Sequence, residues 1–141
     1  MATIFSKIIS GEIPIYQVAE NIDYLAFLDI NPLTRGHVLV IPKKEVDYIF
    51  DLDTETYVGL MNFVKIVAEG IKLAIPCTKV GIAVVGLEVR HAHVHLIPIN
   101  HVDDMNFSKE KLNLTNEELT KIADKIKRSI VTGKQIGRAH V

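Results

Sequence analysis

The sequence predicts an α+β fold: a mostly antiparallel sheet of about five strands, one long helix across it and a C-terminal helix beside it. Three observations predict it. Five short runs rich in Val, Ile and aromatic residues are bounded by Gly, Pro, Asn and Asp. Two longer stretches repeat apolar residues at the helical period. Between the first two runs, Asn21-Ile22-Asp23 gives a hairpin signal.

Ile4–Gly11 opens the chain as a short amphipathic turn or helix. Ile4, Phe5 and Ile8 can share a face, and Gly11 ends it. Tyr16–Glu20 and Tyr24–Asp29 are expected as strands. Asn31-Pro32 breaks the chain and Arg35-Gly36 turns it. His37–Ile41 forms the third strand, with His37, Leu39 and Ile41 on one face, closed by Pro42. Glu45–Leu52 reads as a short helix or loop. Asp53–Ile75 is the main helix: Asp53 is a good N-cap and Glu55 suits the positive end of the helix dipole. Its expected buried stripe is Tyr57, Leu60, Met61, Val64, Ala68 and Ile71, and Pro76 terminates it. Lys79–Val85 is the fourth strand and Arg90–Asn100 the fifth. His101–Asn113 is a polar, ordered loop. A capping box of Thr115 and Glu118, with Leu114 and Leu119 as hydrophobic staple, starts the last helix. Leu119, Ile122, Ala123, Ile126 and Ile130 form its apolar stripe.

The 141 residues fit one domain, and 48% hydrophobic residues are enough for a sizeable core. We expect that domain over residues 1–133. Ile136–Val141 departs from the pattern and resembles translated adapter sequence, so it is expected to lack core contacts, and residues 134–141 are expected to be a non-native or disordered tail. The net charge is −1 with no basic stripe, which argues against a nucleic-acid partner. No apolar stretch reaches the roughly 20 residues of a spanning helix, and no signal peptide is visible. The single cysteine, Cys77, suits a reducing compartment and a packing role. A cytoplasmic protein without a membrane partner is the expectation.

Within RHAHVHLIPIN, His91, His93 and His95 alternate with Ala92, Val94 and Leu96. Period two places three imidazoles on one face of a strand and three apolar side chains on the other. Three imidazoles side by side can ligate a metal, carry out nucleophilic catalysis or form a solvated strand edge. Periodicity alone leans towards metal. Against that, the nearest carboxylate, Glu88, falls opposite His91 on the same alternation. A nucleophilic imidazole needs one nitrogen neutral and its other nitrogen donating to an orienting acceptor.

HAHVHLIP resembles the signature of the histidine triad (HIT) superfamily of nucleotide hydrolases and transferases, in its Hint-like branch. IFSKIISGEIP is similar to that family's opening segment and YLAFLDINPLTRGHVLVIPKK to its central block, in the family's order. The resemblance spans roughly Thr3 to Asn100 and implies a two-fold homodimer. It implies that His93 attacks the α-phosphorus of a purine nucleotide, an AMP or GMP derivative, and forms a nucleotidyl-histidine intermediate that water then releases. His95 would contact the phosphate, His91 would hold the hydrogen-bond network, and His37 would be the fourth histidine beside the triad. Asp29 would accept from the ribose hydroxyls, a task that suits a carboxylate. Ile4, Phe5, Ile8, Phe27, Ile30 and Leu39 would line the purine slot.

One stretch departs from the family pattern. Gly86-Leu87-Glu88 stands where many members carry Gly-Gln-Ser or Gly-Gln-Thr facing the phosphate or leaving group. Leucine cannot donate, and a glutamate beside a phosphate repels it. The N-terminal Cys-x-x-Cys of zinc-holding members is absent, with Ser6 near one of its positions. No metal or other cofactor is therefore expected. The expected activity is hydrolysis of a nucleoside phosphoramidate or related α-phosphate ester. The alternatives are hydrolysis of dinucleoside polyphosphates, and nucleotide binding without catalysis.

Overall fold

A computed structural model describes residues 3–130 and the course of the last helix to Ala139. The backbone of residues 134–139, expected as part of a tail, continues that helix, while the core contacts expected to be missing there fall on side chains outside the described residues, as do residues 140–141. The elements are α1 (Ile4–Ile9), β1 (Gln17–Glu20), β2 (Tyr24–Leu28), β3 (Val38–Pro42), α2 (Thr54–Ala74), β4 (Lys79–Ala83), β5 (Val94–Ile99) and α3 (Asn116–Ala139). One-turn 3₁₀ segments lie at Ile49–Asp51 and Val102–Met105. No described helix is long and apolar enough to cross a membrane.

The five strands form one sheet in the order β1-β2-β3-β5-β4, each neighbouring pair antiparallel. Asn21 makes the first hairpin: its Oδ1 accepts from the Asp23 and Tyr24 N–H groups at 3.0 and 2.9 Å. Every residue of β2 and β3 is buried, because both faces of the sheet are covered. Tyr24, Ala26, Leu28, Val38 and Val40 face α2 and α3 in the main core. Leu25, Phe27, Leu39 and Ile41 face the other way and pack on Phe5 and Ile8 of α1. This second, smaller cluster is the floor beside which the histidines stand.

The helix caps are those the sequence requires. Asp53 accepts from the Thr56 N–H at 3.1 Å. Thr115 and Glu118 bond reciprocally at 3.1 and 3.2 Å. The α3 stripe is buried as expected, but the α2 stripe is rotated and wider. Phe63, Val67, Gly70 and Ala74 are buried in it, while Tyr57, Met61 and Ala68 are only partly so. The reason is that α2 meets two surfaces, the sheet and α3. Gly70 sits where α3 crosses, and a Cβ there would collide with Ile130.

Two strands are shorter than expected. β4 stops at Ala83 rather than Val85, since the chain turns away and Gly86 takes a positive φ of 67°. β5 begins at Val94 rather than Arg90. Its ladder to β3 ends at the Val40–Val94 pair, and the Ala92 N–H bonds instead to Val46 O at 2.7 Å. His91 and His93 thus lie on an extended approach, and only His95 lies in the strand. The alternation of faces survives: Ala92, Val94 and Leu96 are in the main core.

Candidate active site

Beside α1, on the face of the sheet away from α2 and α3, lies a cavity of about 520 Å³. Its apolar side is built by Phe5 and Ile8 of α1, Phe27 of β2 and Leu39 of β3, with Ile4 and Ile30 at the rim. Asp29, at the end of β2, stands in it with His37, His93 and His95. Gly86, Leu87 and Glu88 form part of its edge, and Leu87 is 85% exposed. Of the residues expected at the site, His91 alone does not line the cavity. It lies behind the wall and is wholly buried.

All four histidines are buried, so the solvated strand edge is excluded. Their partners assign their tautomers. The Leu33 N–H donates to His37 Nδ1 at 3.0 Å, which makes that nitrogen an acceptor and puts the proton on Nε2. His37 Nε2 is 3.0 Å from His95 Nδ1, so His95 accepts there and carries its own proton on Nε2. His93 Nδ1 is 2.8 Å from the His91 carbonyl oxygen, an acceptor only. Nδ1 of His93 therefore holds the proton, and its Nε2 is left with a lone pair. His91 Nε2 donates to Pro42 O at 2.7 Å, which ties the segment carrying that carbonyl to the end of β3. His91 Nδ1 has no hydrogen-bond partner among the described residues, and the ring packs edge-on against Phe5.

The electrostatics agree with neutral rings. Burial, with His95 alongside, lowers the pKa of His37 from 6.5 to about 3. Burial, with His93 alongside, lowers that of His95 to about 4. Burial also lowers His93. Phe5 stands edge-on to His93 at 4.9 Å and Phe107 edge-on to His95 at 4.9 Å, and both screen the rings from water. Asp29 is pushed the other way: burial raises its carboxyl, against the Asn31 N–H and the Lys111 charge that lower it.

Asp29, His37 and His95 place potential metal-ligating atoms within 4.8 Å of one another. The hydrogen bonds work against a cation. The Leu33 N–H keeps Nδ1 of His37 as the acceptor, so the Nε2 facing the group bears a proton and has no lone pair to give. The group acts as a relay that fixes the His95 proton.

Sequence reasoning missed Phe107 and Lys111, which enter the cavity from the loop after β5. The one available signal was an isolated phenylalanine in a polar stretch.

A family model described as HIT domain matches residues 10–102. An HIT-like protein of Borreliella burgdorferi is 36% identical over 135 residues, covering 90% of this chain and 97% of that protein. Adenosine 5'-monophosphoramidase hnt1 of Schizosaccharomyces pombe is 42% identical over 71 residues, 50% of this chain and 53% of its own length. The crystal structure of a hypothetical histidine triad nucleotide-binding protein from Sulfolobus tokodaii superposes with a TM-score of 0.79 at 31% identity, covering 92% of each chain.

Proposed function

The chain belongs to the HIT domain family, and from that premise we propose that it hydrolyses purine nucleoside phosphoramidates or related α-phosphate esters through a nucleotidyl group on His93. The observation that carries this is the hydrogen bond from His93 Nδ1 to the His91 carbonyl. It directs a neutral Nε2 lone pair into a cavity of the size and apolar character that a nucleoside fills. The phosphoramidase activity named for the fission-yeast relative supports the reaction class.

The base lies in the slot of Phe5, Ile8, Phe27 and Leu39, and Asp29 accepts from the ribose hydroxyls. Nε2 of His93 attacks the α-phosphorus. A bond from nitrogen to phosphorus forms, the bond to the leaving group breaks, and the departing amine takes a proton from water. His95, its Nε2–H fixed by the relay from Leu33 through His37, donates to a phosphate oxygen as charge builds there. Water then attacks the same phosphorus, breaks its bond to His93 and releases the nucleoside monophosphate. Glu88 at the cavity edge favours an uncharged amine over a polyphosphate leaving group, which would carry several negative charges past a carboxylate.

β4 is a sheet edge with Ile82 half exposed, which supports the two-fold homodimer. The lone cysteine supports a cytoplasmic setting. The test is turnover of an adenosine phosphoramidate by wild type and His93→Ala. Loss of turnover in the variant with AMP binding retained is the expected result. Equal rates would refute the mechanism, and AMP binding without turnover by wild type would identify a non-catalytic nucleotide-binding protein.

A further inference from the structure

A nucleotide in this cavity leaves a charge to be matched. Its phosphate is an anion, while His37 and His95 are neutral donors and acceptors and Asp29 and Glu88 add negative charge. The edge from Val85 to Val89 offers no side-chain donor at all. Among the described residues that line the cavity, Lys111 is the only lysine or arginine.

Lys111 lies beyond the matched family segment, residues 10–102, on the loop that follows β5. That loop is built to hold it in place. Its Nζ donates to the carbonyls of Phe107 at 2.5 Å and Lys109 at 2.8 Å. An ammonium group has three donors, so one remains for a ligand. The next residue, Leu112, donates its N–H to Pro32 O at 2.9 Å, which fastens the loop to the turn after Asp29. Phe107, whose carbonyl Lys111 holds, packs edge-on against His95. The Lys111 charge reaches both Asp29 and His37.

We propose that Lys111 is a substrate-binding residue whose ammonium group meets the 5′-phosphate of the bound nucleotide. It supplies, from the loop side, the positive charge that neither the neutral histidines nor the Gly86–Glu88 edge provides. This rests on the reading of the cavity as a nucleotide site. It does not depend on catalysis at His93.

Calorimetric titrations test it, with AMP, adenosine and adenosine 3′-monophosphate as probes and wild type, Lys111→Met and Lys111→Arg as proteins. Wild type should bind AMP about tenfold more tightly than adenosine, as one charge-assisted contact implies. Lys111→Met should lose that preference by weakening AMP alone, and Lys111→Arg should retain most of it. Added salt should weaken AMP binding to wild type and leave Lys111→Met little changed. Equal weakening of AMP and adenosine in Lys111→Met would overturn the proposal and make Lys111 a staple of the loop. A loss confined to the 3′-phosphate probe would also overturn it, by placing the charge at the ribose. Wild type that binds AMP and adenosine equally would overturn the phosphate contact and leave the nucleotide cavity standing. Wild type that binds neither would overturn both.

Discussion

Lowering the pH from 7 to 5 is expected to cost the fold about 4 kcal/mol through His37 and His95 alone. In the unfolded chain each imidazole titrates near 6.5; in the fold His37 is held down at about 3 and His95 at about 4. Between those values the unfolded chain takes up a proton that the folded chain refuses. The stabilising contribution is therefore complete above about pH 6.5 and is lost progressively as the pH falls towards the folded values. At pH 5 the unfolded state gains about 1.5 units of titration per histidine, and at about 1.36 kcal/mol per unit that is about 2 kcal/mol each. A small domain has only about 5–15 kcal/mol of stability, so the effect is large. His37→Gln removes one of the two groups and should reduce the loss to about 2 kcal/mol, whatever its stability at pH 7. Urea unfolding at pH 7, 6 and 5 measures both proteins. Equal pH-dependent losses in wild type and His37→Gln would refute the neutral relay.

Gly70→Ala should make the domain about 1–2 kcal/mol less stable in thermal unfolding, because its Cβ meets Ile130 across the α2–α3 crossing and overpacking outweighs the gain in helix propensity. A more stable variant would show that the crossing yields freely. Asp29→Asn should bring the affinities for AMP and 2′-deoxy-AMP together, from a preference of about tenfold, by weakening the charge-assisted contact to the ribose. An unchanged ratio would remove Asp29 from ribose recognition.

Much of the fold was legible because the elements carry their own local signals. The Asp53 and Thr115 caps, the Asn21 turn and the apolar stripe of α3 are settled within a few residues of themselves. The α2 stripe was less legible because burial there depends on a partner about 60 residues away, Ile130 against Gly70. The histidine segment shows both sides. Alternation correctly separates His91, His93 and His95 from the core-facing Ala92, Val94 and Leu96, yet it cannot show that β5 starts at Val94. Nor can it show that His91 leaves the cavity to bond Pro42 O. Tautomers depend on backbone partners brought together by folding, here Leu33 N–H and His91 O, and no residue pattern encodes them. Phe107 and Lys111 were missed for the same reason. Their loop has no period, and its tie to Pro32 and the packing of Phe107 on His95 carry it over the cavity.

The central claim is that Nε2 of His93 forms a covalent bond to the α-phosphorus. Rapid quenching of the protein with an adenosine phosphoramidate, followed by mass spectrometry of its peptides, measures that bond directly. An adenylyl group on the peptide that contains His93, absent from His93→Ala, is the predicted result. Turnover by wild type with no adduct on that peptide, or with an adduct that persists in His93→Ala, would contradict it.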